Sequence, residues 1–92
     1  MGAFMMTIKL QQMVDRKIEE GKLLVIGSDL VGSHMTTAVV PMKITVDEHR
    51  ILIEGEKLIL DITNEKEKFI IYYDKIEEEF IIEQGDITIF LS

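Results

Sequence analysis

The sequence predicts an α+β fold: one N-terminal amphipathic helix, then a five- or six-stranded, mainly antiparallel sheet curled into a small barrel. Three observations predict it. The hydrophobic period changes once, near Gly21. Before that point Leu10, Met13, Val14 and Ile18 recur at helical spacing; after it apolar residues alternate or run in short blocks up to Ser92. No linker, repeat or low-complexity stretch divides the 92 residues, so they read as a single domain. Five or six short strands must also hide their edges, which curling into a barrel achieves.

The helix is expected over residues 8–20, with Thr7 as N-cap and Gly21 as the C′ residue. Leu10, Val14 and Ile18, with Met13 beside them, form one apolar stripe, and Lys9, Gln12, Arg16 and Glu19 lie opposite. That pattern suits a helix lying on a sheet. A membrane-surface helix would want a cationic polar face, whereas this one ends in Glu19 and Glu20. Ahead of it, Met1, Phe4, Met5 and Met6 are more apolar than a solvated tail should be, which suits either packing on a neighbour or a stretch that is partly a start-site artefact.

The first strand is expected over residues 22–26 (KLLVI), an apolar block that suggests burial on both faces. Residues 27–33 read as a loop with two glycines, and the next strand begins near Met35. Within that loop, Gly32-Ser33-His34-Met35 duplicates a string that tag cleavage often leaves; the native-looking strand and loop before it favour coincidence. Pro41 marks a bulge or an edge, because proline cannot donate to a ladder. Met42, Ile44 and Val46 then alternate with Lys43 and Thr45. A polar turn at residues 47–50, a return strand from Ile51, a hairpin or bulge at Gly55-Glu56 and a strand over 58–62 follow. Residues 63–68 form an exposed turn. The last third gives strands over 69–73, 80–84 and 87–91, the final pair joined by the two-residue connection Gly85-Asp86. In the polar link 74–79, Ile76 is the one apolar residue and is expected to anchor it.

Composition bounds the function. A chain this small buries roughly 60–65% of its unfolded surface, so its stability is marginal without added contact area. There is no cysteine, which removes disulfides and thiolate metal sites, and with only two histidines no structural metal is expected. Self-association is the remaining route, and the chain is expected to form a homo-oligomer. A net charge of −7 opposes nucleic acid and anionic lipid, and the basic residues Lys66, Lys68 and Lys75 are scattered rather than clustered. No apolar run approaches the length of a membrane span, and MGAFMMTIKL lacks a signal-peptide pattern, which points to a cytoplasmic protein. Fifteen isoleucines, and eight lysines against two arginines, suit an AT-rich bacterial or phage genome.

No phosphate-binding, metal or catalytic motif stands out, and no cofactor is expected. Ser28-Asp29 and Ser33-His34 bring nucleophile and base types near one another without the elbow a triad needs. His49 reads as a solvated turn residue beside Asp47 and Glu48. The densest charge is Asp74 with Glu77, Glu78 and Glu79, which reads as a solvated turn that keeps neighbouring strands from aggregating or, functionally, as an acidic patch able to dock on a basic protein. Tyr72 and Tyr73 sit just upstream on opposite strand faces, one expected in the core and the other as an interface anchor.

At the C-terminus, residues 80–92 (FIIEQGDITIFLS) resemble the second signature of Sm-like proteins, an apolar strand leading through Arg-Gly-Asp to another apolar strand. The helix followed by bent strands is similar to that family in outline. The resemblance implies a small barrel whose edges pair into a ring, with RNA or a small nucleotide held near a pore. Gly85 and Asp86 match the motif, while Gln84 stands where the family has arginine; the turn carrying Asp47 and His49 lacks the family's asparagine and stacking aromatic.

The expected function is a non-enzymatic, self-associating acidic binding module, of the kind phage and prophage accessory proteins use to occlude a host protein. Tyr72, Tyr73, Asp74, Glu77, Glu78 and Glu79 are its candidate contacts. The alternative is an Sm-like ring with Asp47, His49, Gly85 and Asp86 at a ligand pore.

Overall fold

A computed structural model of the chain describes residues 2–65 and 67–92, with the backbone alone for residues 2–4. Met1, Lys66 and the side chain of Phe4, which figure in the sequence reading, lie outside the described residues. Among the described residues one helix, α1 (Gly2–Glu20), precedes eight strands: β1 (Leu24–Leu30), β2 (Ser33–Val39), β3 (Pro41–Val46), β4 (Arg50–Gly55), β5 (Ile59–Thr63), β6 (Ile70–Asp74), β7 (Glu79–Gln84) and β8 (Ile87–Leu91). The strands lie in two antiparallel sheets, one of order β2-β1-β8-β7-β6 and one of order β3-β4-β5, where the sequence suggests five or six strands in one curled sheet.

The helix begins six residues earlier than expected, at Gly2 rather than Ile8, because nothing in residues 2–6 breaks it. Thr7 is therefore a buried residue inside the helix and not its cap. The other end is as expected. Gly21 has φ +66°, and the bonds Lys22 N to Lys17 O (2.9 Å) and Gly21 N to Ile18 O (3.3 Å) close a Schellman motif. Leu10 and Val14 are fully buried, with Met13 and Ile18 packed beside them. Lys9, Gln12, Arg16 and Glu19 face solvent. The helix lies against β3 and β6, one edge strand from each sheet.

Strand alternation builds the rest of the core. In the larger sheet Leu24, Ile26, Leu91, Phe80, Ile82 and Ile71 point inward; in the smaller one Ile44, Ile51, Ile53 and Ile62 do so. Removing one such leucine or isoleucine from water contributes roughly 2 kcal/mol. The block at residues 22–26 is not buried on both faces: Leu23 and Val25 are exposed, because the helix and second sheet pack on one side only.

Three local departures have local causes. The expected loop at 27–33 is strand as far as Leu30, and residues 31–32 alone make the turn, with Gly32 at φ +76°. His34 consequently lies in β2, paired with Asp29. Met42 is exposed although its alternation with Ile44 predicts burial: the register shifts between Pro41 and Lys43, so Met42 is the extra residue of a bulge.

Candidate functional site

The candidate residues fall at opposite ends of the molecule. The strand order sends the β1–β2, β3–β4, β5–β6 and β7–β8 connections to one end and the β6–β7 turn to the other.

At the β6–β7 end, Asp74 pairs with Glu79 across the turn formed by residues 75–78. Its Oδ1 accepts hydrogen bonds from the backbone N–H of Ile76 (2.9 Å) and Glu77 (3.3 Å). Asp74 thus shapes the turn as well as carrying charge. Glu78 takes φ +55°, a left-handed conformation that costs a non-glycine residue about 1 kcal/mol. The tip projects beyond the sheet, and Ile76 is 90% exposed at its apex. It is no core anchor, because among the described residues no element packs beyond the sheet's end to receive it. Lys75, Glu77 and Glu78 surround it, also exposed, and Glu79 is half-buried.

Tyr72 and Tyr73 do project to opposite faces, yet neither is in the core: they are 41% and 39% exposed. The Tyr73 ring meets Phe80 edge-on at 4.9 Å and flanks a shallow depression with Lys9, Met13 and Arg16 of the helix. On the other face the Tyr72 hydroxyl donates to Glu83 Oε2 at 2.5 Å. That bond, then burial and the nearby charges of Glu83 and Asp74, raises the phenol above its ordinary value of 10.0.

At the opposite end the two turns of the ring alternative come together. Asp47 and His49 border one depression, Gly85 and Asp86 border the next, and Asp61, Thr63 and Glu65 are common to both. Asp47 Oδ1 accepts from His49 N (2.7 Å), and Asp47 N donates to Arg50 O (3.0 Å), closing the β3–β4 turn. Asn64 joins that turn to the β5–β6 loop: its N–H donates to His49 O (2.9 Å), and its Oδ1 accepts from Phe69 N (2.9 Å). Gln84 Nε2 donates to Thr63 O (2.6 Å) and Glu67 O (2.8 Å), tying the loop to β7. Gly85, at φ +58°, leaves room for the Glu67 carboxylate, with which a Cβ would collide.

Arg50 grips Asp61 in a two-point pair, Nε to Oδ1 at 2.9 Å and Nη2 to Oδ2 at 2.8 Å. The hydrogen bonds from Arg50 hold the Asp61 carboxyl below its ordinary 3.8, and the same pairing raises Arg50. The guanidinium is therefore already engaged, and Asp47, Asp61, Glu65, Glu67 and Asp86 leave this end acidic.

A third constellation lies on the outer face of β1 and β2. His34 Nδ1 meets Asp29 Oδ1, and His34 Nε2 lies 3.0 Å from Thr36 Oγ1. The pairing brings Asp29 and His34 together as the sequence hinted, but Ser28 and Ser33 project from the opposite face and take no part. The His34 and Asp29 side chains are about half exposed or more.

Sequence reasoning missed Asn64, Ile76 as a projecting tip, and Gln84 as a latch. Asn64 offered the one usable signal, an Asx residue opening a polar turn. Among the described residues, no group of three or more His, Asp or Glu is placed to hold a metal ion, and no helix is long and apolar enough to cross a membrane. No family model, curated protein or solved structure matches the chain.

Proposed function

We propose that this chain is a non-enzymatic, self-associating binding module whose β6–β7 turn docks on a basic protein surface. One observation carries the reading: Ile76, 90% exposed, stands at the apex of a turn that bears Asp74, Glu77, Glu78 and Glu79. An isolated exposed isoleucine is unremarkable on its own. Here a fixed turn presents it, and carboxylates surround it with Lys75 as the lone opposing charge. Such a tip offers an apolar contact for a pocket and a charged rim that steers a cationic partner. Tyr72 and Tyr73 extend the contact along β6, and the mechanism is occlusion of the partner's basic site. A phage or prophage protein acting on a host protein fits this mode.

The test uses the immobilised chain, the triple variant Glu77→Lys/Glu78→Lys/Glu79→Lys, and Ile76→Ser as baits. A partner held by the wild type and lost from both variants, each still folded by circular dichroism, is the expected result. Capture unchanged by Ile76→Ser would reduce the tip to non-specific charge and overturn the reading.

The Sm-like ring remains a second reading, favoured by the convergence of the Asp47–His49 and Gly85–Asp86 turns at one end. Against it stand the carboxylate lining, the engagement of Arg50 by Asp61, and the use of Gln84 as a latch. A wild-type hexamer or heptamer that co-purifies with nucleic acid would favour the ring over the acidic module.

A further inference from the structure

The eight strands leave unequal edges. β3 begins at Pro41, carries a bulge and lies against the helix; β6 also lies against the helix. β5 carries Asp61 at its middle, paired with Arg50. These are the ordinary ways a protein keeps an edge from pairing with another chain. β2 has none of them. Its seven residues contain no Lys, Arg, Asp, Glu or Pro, and it pairs with β1 without a register shift. Every residue from Ser33 to Ala38 is exposed.

The surroundings are equally distinctive. Residues 30–42 form the longest stretch of the chain without a formal charge. That stretch also holds exposed Leu30, Val31, Met35, Val40 and Met42. For a chain with a net charge of −7, two copies meet the least repulsion where charge is absent. A basic partner, by contrast, would gain nothing from this surface.

We infer that β2 is the self-association surface, pairing antiparallel with β2 of a second copy about a two-fold axis at Thr36. The inference rests on the self-association in the proposed function but not on the acidic tip. Centring on Thr36 uses the whole strand. It sets Thr36 against Thr36, Met35 against Thr37, His34 against Ala38 and Ser33 against Val39. No like charges face each other, and threonine opposite threonine is a favourable cross-strand pair. The two five-stranded sheets become one continuous sheet of ten. One strand edge with its apolar flanks is a small interface by the standard of roughly 800 Å² per partner, so the dimer is expected to be weak and to depend on concentration.

Light scattering on size-exclusion fractions, run over a concentration series, tests this on the full chain. The wild type is expected to reach twice the monomer mass. Met35→Lys/Thr37→Lys sets lysine against lysine across the axis and is expected to stay monomeric. Met35→Lys/Thr37→Glu sets opposite charges in the same register and is expected to recover the dimer. Amide hydrogen exchange of the wild type gives a check that needs no variant: β2 amides should slow as concentration rises.

A wild type that remains monomeric throughout overturns both this inference and the self-association in the proposed function. A dimer indifferent to the lysine pair, or β2 exchange indifferent to concentration, overturns the β2 surface alone. A monomer whose β2 amides slow only on adding a different protein assigns the edge to a foreign strand and overturns the second copy as its occupant.

Discussion

The acidic turn at residues 75–78 and the bare edge of β2 are both exposed and both carry an exposed apolar side chain, yet they carry opposite electrostatic instructions. Ile76 stands among carboxylates with Lys75 alone opposing them; Met35 lies within the longest uncharged stretch. In a chain of net charge −7 the first surface repels another copy and attracts a cation. The second is where another copy meets the least repulsion. The difference teaches that charge placement sorts partners in a domain too small to do so by shape alone.

The sharpest way to break the comparison is to loosen the frame at one end only. Gln84 donates two hydrogen bonds, to Thr63 O and Glu67 O, and holds the β5–β6 loop against β7. Each such bond contributes about 1 kcal/mol, so Gln84→Ala should lower the unfolding free energy by about 2 kcal/mol in a urea titration. Neither the β6–β7 turn nor β2 touches that latch. Binding by the tip and dimer mass should therefore persist below the new midpoint. A variant that loses either one under native conditions would show that the two surfaces depend on a shared frame.

Much of this arrangement was legible beforehand, and the failures have physical reasons. The helical stripe, the Gly21 stop and the Gly85-Asp86 hairpin depend on local spacing and backbone preference, which sequence carries directly. Both the shift of β2 to Ser33 and the exposure of Met42 turn on register, which pairing decides: Gly32 permits a two-residue turn, and a bulge after Pro41 rotates Met42 outward. Alternation places Tyr72 and Tyr73 on opposite faces, as found, but cannot reveal that β6 lies at a sheet edge, where both faces stay partly open. Ile76 departs from the expected anchor because an apolar residue in a polar turn signals burial only if something packs there. The charge-free run from Leu30 to Met42 was visible in the sequence, but its meaning required the knowledge that β2 is an edge.

Salt should separate the two surfaces by sign. Raising it from about 0.05 to 0.5 M shortens the screening length from roughly 14 Å to about 4 Å. Attraction between the acidic tip and a basic partner should weaken by several-fold, read as a rise in dissociation constant. Self-association through β2, where the charge lies elsewhere on both copies, should strengthen slightly as their mutual repulsion is screened. Two interfaces that weaken in parallel would mean that the dimer also depends on charge pairs, and the distinction drawn here would fail.

The smallest expected effect concerns Tyr72, which sits on β6 between the acidic tip and the outer face of the sheet. Its hydroxyl donates to Glu83, and the bond raises the phenol above 10.0. A group whose pKa is raised on folding contributes stability that is complete below the unfolded value and is lost as pH rises through the folded one. Wild type and Tyr72→Phe should therefore differ by a constant, small amount in thermal midpoint up to about pH 10, with the difference shrinking above it. In the phenolate absorbance titration the late component should vanish in Tyr72→Phe. If the wild type shows no late component, the Glu83 bond does not hold in solution, and Tyr72 is free to turn toward a partner at the tip.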